Sequence, residues 1–274
     1  MWCLGVLLLL AAAAVVVAVL GRSPRVGTVV SPWDIPGLTG PYTGVVGTLA
    51  GFSVASATFI AGLDYPRESP EFAAVIAMLL ISFLVLIATA MMYSTTPNAP
   101  DSADSEATII QSLSNVLANG SYFLGLSLSW LALRPLSAMI GLTTLADAFT
   151  WLLLVVVFGG SGRLALFAYR LTPANGLACA AFPIIGIGLA TGYRLLAAYV
   201  WPALWPSSEM PLRFAFVAFA VATTGFAMQS ALLLMHGNTR IEARLSRYGH
   251  RLALAYVQAT VLSVALLWLA VATS

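Results

Sequence analysis

The sequence predicts an all-α polytopic integral membrane protein, with about eight transmembrane helices in one bundle and residues 1–274 forming a single transmembrane domain. Three observations lead there. Hydrophobic residues make up 60% of the chain and charged residues only 8%, against ~25% charged in an ordinary soluble domain. Apolar runs long enough to cross a ~30 Å hydrocarbon core, about 20 residues each, recur along the chain. Runs such as 72–92 are apolar on every face, which excludes the alternating pattern of membrane-spanning strands.

The first span is expected at 2–20. No basic residue precedes it and Arg22 and Arg25 follow it, the reverse of a cleavable signal peptide, so it reads as a retained helix entering from outside. The second, 43–63, carries Gly44, Gly47, Gly51, Ala55, Thr58 and Gly62 at steps of three and four. Such a small-residue face admits a neighbouring backbone, so the closest helix contacts are expected through Gly47, Gly51 and Ala55. The third span, 72–93, follows Ser69-Pro70-Glu71, and the connector after it holds Asp101, Asp104 and Glu106.

The fourth span, 109–133, places Gln111, Asn115 and Asn119 four apart, which aligns them on one helix face. Arg134-Pro135 then interrupts about fifty residues that would otherwise need two membrane thicknesses, so a tight hairpin is expected there. The fifth span, 136–158, contains Asp147 in an apolar run. An acid at that depth costs at least ~2.5 kcal/mol on insertion and should face the bundle interior, a partner or water. Counted from a turn at Arg134, Asp147 and Asn119 fall at similar depths, ~20 Å and ~22 Å.

Pro183 should kink the sixth span, 176–200, which carries a second small-residue pair, Gly188 and Gly192, and a charge, Arg194, within snorkelling reach of the outer boundary. Gln229 in the seventh, 212–236, and Gln258 in the eighth, 251–272, share a depth near the cytoplasmic side. Between those two spans Arg240, Arg244 and Arg247 would form one face of a short surface helix whose default partners are anionic lipid headgroups.

Loops after the odd-numbered spans hold Arg22, Arg25, Arg163, Arg170, Arg240, Arg244, Arg247 and Arg251, against Arg67, Arg134 and Arg213 on the other side. That asymmetry puts both termini outside a plasma membrane. Trp2, Trp130, Trp201, Trp205 and Trp268 fall near the outer ends, as an aromatic belt would. Arginine in place of every lysine, with abundant Ala, Val, Leu and Gly, suggests a GC-rich bacterial source.

Several chemistries are excluded or disfavoured. The absence of lysine rules out a Schiff base or a phosphate-loop lysine. Cys3 and Cys179 stand apart in apolar runs, and His236 and His250 sit at a helix boundary beside basic residues, so neither a metal nor a cofactor is expected. A net charge of +2 gives no case for nucleic acid. Gly159-Gly160-Ser161-Gly162 resembles the GxSG nucleophile motif of rhomboid proteases over those four residues, but Arg163 follows at once and no interior histidine stands at matching depth as a base.

The leading expectation is therefore a channel or transporter for an ion or small solute. Its polar pathway would run near the bilayer midplane through Asp147, Asn119, Asn115 and Gln111, with Asp147 as the titratable element and Arg194, Gln229 and Gln258 as secondary polar groups. The alternative is a non-catalytic membrane subunit or scaffold of a larger complex, meeting a protein partner or a second copy through Gly47, Gly51, Gly188 and Gly192. An enzyme is disfavoured for lack of a nucleophile, base or metal cluster.

Overall fold

A computed structural model describes residues 39–63, 69–95, 105–142, 144–146, 148, 188–193, 195–196, 199–200, 209–235 and 239–273. The expected first span and most of the fifth and sixth lie outside them, as do Asp147 and Arg194. The described elements are all helices: α1 (Thr39–Ala61), α2 (Pro70–Thr95), α3 (Ser105–Leu131), α4 (Leu133–Met139), α5 (Met210–Leu234) and α6 (Thr239–Thr273). Five segments are long and apolar enough to cross a membrane.

Proline opens two of these helices. Pro70 begins α2 and Pro211 stands in the first turn of α5, positions where the missing N–H would have had no intrahelical partner. The Ser69 hydroxyl accepts a hydrogen bond from the Phe72 N–H at 3.1 Å, a side-chain cap for one of the orphan donors of α2.

The expected hairpin at Arg134-Pro135 is not formed. Ala132 has helical dihedrals, and the bonds Ala132 N–H to Leu128, Leu136 N–H to Ala132 and Ile140 N–H to Leu136 carry the helical pattern past the proline. Pro135 removes the bond that Leu131 would have accepted, which separates α3 from α4 without turning the chain. The turn lies at Gly141, whose φ of 78° is left-handed. There the Leu142 N–H reaches the Ser137 carbonyl at 2.9 Å and the Gly141 N–H the Ala138 carbonyl at 3.0 Å, a glycine C-cap. Leu113–Met139 is consequently one continuous span, and the expected helix over 136–158 is broken near its start.

A second correction concerns the segment before the last span, which itself lies at Arg251–Ala272 as expected. The basic segment is no separate surface helix, because α6 runs unbroken for 35 residues. That length is about 52 Å, well beyond a ~30 Å core.

α3 is the central helix. It packs on α2, α5 and α6, while α1 packs chiefly on α2. Ser121 meets Tyr256 and Arg134 meets Val271, so α3 with α4 runs parallel to α6. Asn119 meets Tyr93 and Ser129 meets Ser82, so α2 runs antiparallel to α3. Leu86, Met78, Leu117, Leu124, Leu128 and Leu267 fill the core between them.

The tight packing is not where the small residues of α1 had placed it. A Cβ added at Gly44, Gly47 or Gly51 would meet nothing within 4 Å. α1 instead buries Val46, Ala50, Ser53, Ala57 and Ile60, a face at helical spacing that excludes those glycines. The close approaches are at Gly120, where a Cβ would stand 2.5 Å from the Tyr256 ring, at Gly125, 2.8 Å from Leu86, and at Gly225, against the Tyr256 hydroxyl.

Candidate functional site

α3 presents two chemically different sides. One is buried and mostly apolar, with Ser114, Ser121 and Ser127 among its leucines. The other is half-buried and carries Asn115, Asn119, Tyr122 and Ser129, interrupted by Leu126, which helical periodicity puts in one line. Gln111 continues that line by register in the first turns of α3. From Asn115 to Ser129 the line extends about 21 Å.

At its amino-terminal end the line meets α2 and α1. The Tyr93 hydroxyl donates to Asn119 Oδ1 at 3.1 Å, and Asn119 Nδ2 donates to the Asn115 carbonyl at 2.7 Å. The Tyr42 ring of α1 stacks on Tyr93 with centroids 5.6 Å apart. On the side of α2 facing α5, Gln229 is buried and its Nε2 donates to the Met92 carbonyl at 2.9 Å. That carbonyl belongs to the last turn of α2.

At the other end of the line three serines converge from three helices. Ser53 lies 2.9 Å from Ser129 and 3.4 Å from Ser82, and the Ser82 hydroxyl donates to the Gly125 carbonyl at 2.7 Å. Ser82 and Ser129 are themselves hydrogen-bonded. Each hydroxyl has another as partner across a helix boundary, a common role of such residues between membrane helices. Ser53–Ser129 also bridges α1 and α3, two helices that otherwise barely touch.

Five residues beyond Ser129, Arg134 donates to the Val271 carbonyl. This places a cation on the C-terminal turn of α6, where the helix dipole favours it. Arg134 thus lies within a helix and holds two helices together, where the sequence had suggested a loop.

A further polar contact faces away from the line. Tyr256 is buried between α3 and α5, and its hydroxyl is 2.8 Å from that of Ser121. The glycines at positions 120 and 225 leave the room for its ring.

Of the residues singled out from sequence, Asn115 and Asn119 are brought together and Gln229 is placed beside α2. Gln258 is half-buried on α6, and Arg244 is exposed on its amino-terminal extension. Arg240 and Arg247 fall on the same extension by backbone register. Gly188 and Gly192 are exposed, with nothing within 4 Å of an added Cβ. The depth match between Asp147 and Asn119 loses its premise, because the turn is at Gly141. Asp147 itself lies outside the described residues.

Sequence reasoning missed Tyr42, Tyr93 and the serine cluster. A usable signal existed for Ser82, an isolated hydroxyl near the middle of an apolar run, whereas Ser53 and Ser129 have Ser56 and Ser127 close by. Among the described residues no group of acidic, histidine or cysteine side chains could hold a metal ion. No known protein family matches the chain, and no characterised protein or solved structure is similar to it.

Proposed function

We propose that the protein is a channel or transporter of a bacterial plasma membrane that moves an ion or small solute along the polar line of α3. About eight spans with both termini outside complete this reading, on the strength of the arginine distribution. The observation that carries it is the half-buried line Asn115, Asn119, Tyr122 and Ser129 on a helix whose other side is packed. Polar side chains turned to lipid are costly, whereas polar side chains that line a water-filled route are not. Gln111 extends the route inward, and Asp147 remains its titratable candidate on the insertion cost alone. The arginine face of α6, with Arg240, Arg244 and Arg247, is assigned to anionic lipid headgroups.

Purified protein in liposomes provides the test. Asn119→Leu should keep the melting temperature within a few degrees while lowering flux about ten-fold, the equivalent of ~1.4 kcal/mol on the limiting barrier. Asp147→Asn should fold and lose the pH dependence of that flux. Flux that is indifferent to Asn119 would remove α3 from the route.

The open glycine face of α1 favours a second reading, a membrane subunit or scaffold that receives a partner helix at Gly47 and Gly51. No flux of any solute, together with a co-purifying partner, would select it.

A further inference from the structure

We infer that the cargo of this route is a small neutral solute that both donates and accepts hydrogen bonds, of the polyol or amide class, and not an ion. The inference rests on the transport reading above and narrows it. Over the ~21 Å from Asn115 to Ser129, Leu126 apart, the described polar side chains along and beside the line are Asn115, Asn119, Tyr122, Tyr93, Tyr42 and the three serines. Every one is a carboxamide, a phenol or a hydroxyl. Each can act as donor or as acceptor, and hydroxyl hydrogens rotate to suit whatever stands opposite.

Among the described residues none with a formal charge lies on this stretch. An ion stripped of water there would find no counter-charge, a far heavier penalty than a neutral group incurs when its hydrogen bonds are replaced. The nearest described charge is Arg134, about 8 Å beyond Ser129 by helical rise. Its guanidinium is already engaged with the carboxyl-terminal turn of α6. It opposes cations at the outer end, and an anion drawn there would find no basic side chain further in among the described residues.

Ser53 and Ser129 at 2.9 Å leave no room between α1 and α3, so a solute passes only by replacing that hydrogen bond with its own. A polyol or amide can make the exchange at both hydroxyls. A bare ion cannot donate to either.

The experiment compares two fluxes in liposomes holding the purified full chain. Stopped-flow light scattering reads glycerol and urea entry, and a potential-sensitive dye reads Na⁺, K⁺ and Cl⁻ movement. The expected result is glycerol or urea entry well above that of protein-free vesicles, with no dye response. Ser129→Val keeps the side chain's bulk and removes its hydroxyl, and should change that entry about five-fold, the rate equivalent of one net hydrogen bond. Ion movement without glycerol or urea entry would overturn the neutral-cargo inference and leave transport standing. Neither flux, from protein that melts cooperatively, would overturn the transport reading and this inference with it. Neutral entry unchanged in both Ser129→Val and Asn119→Leu would show that the solute travels elsewhere.

Discussion

Two sets of glycines divide this molecule. Gly44, Gly47 and Gly51 follow the spacing that lets membrane helices approach, and nothing approaches them among the described residues. Gly120, Gly125 and Gly225 follow no such spacing, yet each is pressed against a large side chain of another helix. The spacing of small residues shows where a backbone could be reached. What decides the packing is the group opposite, here the Tyr256 ring and the Leu86 side chain. Tyr256 needs a missing Cβ on two helices at once, and this fixes the height at which α3, α5 and α6 meet.

The comparison is broken most severely at Gly225. Gly225→Leu pushes a branched side chain into the space of the Tyr256 ring and hydroxyl, and both helices are held by their other contacts. Overpacking of this kind costs about 3 kcal/mol at the upper end of the usual range. In detergent the melting temperature should fall by roughly 6–10 °C, if it is measurable at all. A variant that melts like the parent would show that Tyr256 leaves its place freely, and the three-helix junction would have to be redrawn.

Tyr256→Phe sharpens the same contact with a smaller effect. It removes the hydroxyl bonded to Ser121, a loss of about 1 kcal/mol or less for a pair between membrane helices. It also relieves the crowding at Gly225. Gly225→Ala should therefore destabilise the Tyr256→Phe protein less than it destabilises the parent, and a thermal double-mutant cycle measures the difference. Additive effects would mean that the hydroxyl and Gly225 do not share space.

Much of the helical layout was legible before any coordinates. The expected spans 43–63, 72–93, 109–133 and 212–236 match α1, α2, α3 and α5 to within a few residues, because span length follows from hydropathy and bilayer thickness. Facing was not legible. In a bundle surrounded by lipid the inward and outward sides of a helix are equally apolar, so Gly51 and Ala50 look alike in the sequence although one is exposed and the other buried. Proline misled for a related reason: Pro135 deletes one hydrogen bond, and neighbouring helices support the kink that in isolation would end the helix. The turn was written instead in Gly141, inside a run where glycine reads as merely small. For the candidate site, the carboxamide line of α3 could be read from its four-residue spacing. Its partners Tyr93, Tyr42, Ser53 and Ser82 come from other helices, and no local pattern pairs residues across helices.

The smallest effect expected is the most pointed test of the contrast. Gly51→Leu makes the same change as Gly225→Leu on a helix of the same bundle, but at a position where an added Cβ meets nothing. The packed face of α1 lies elsewhere, along Val46, Ala50, Ser53, Ala57 and Ile60. The leucine would join Phe52 and Phe59, which are already 67% and 71% exposed and suited to lipid tails. Removing a glycine from a helix interior favours the helix by up to ~1 kcal/mol, less the small strain of the new contacts. The melting temperature should therefore stay level or rise by a degree or two, while Gly225→Leu melts far lower. A drop of several degrees in Gly51→Leu would mean that another backbone rests on this face, and the glycine spacing would recover the meaning it had in the sequence. Cross-linking from a cysteine at Gly51, in a chain freed of Cys3 and Cys179, would then show whether that backbone belongs to the same chain or to a second copy.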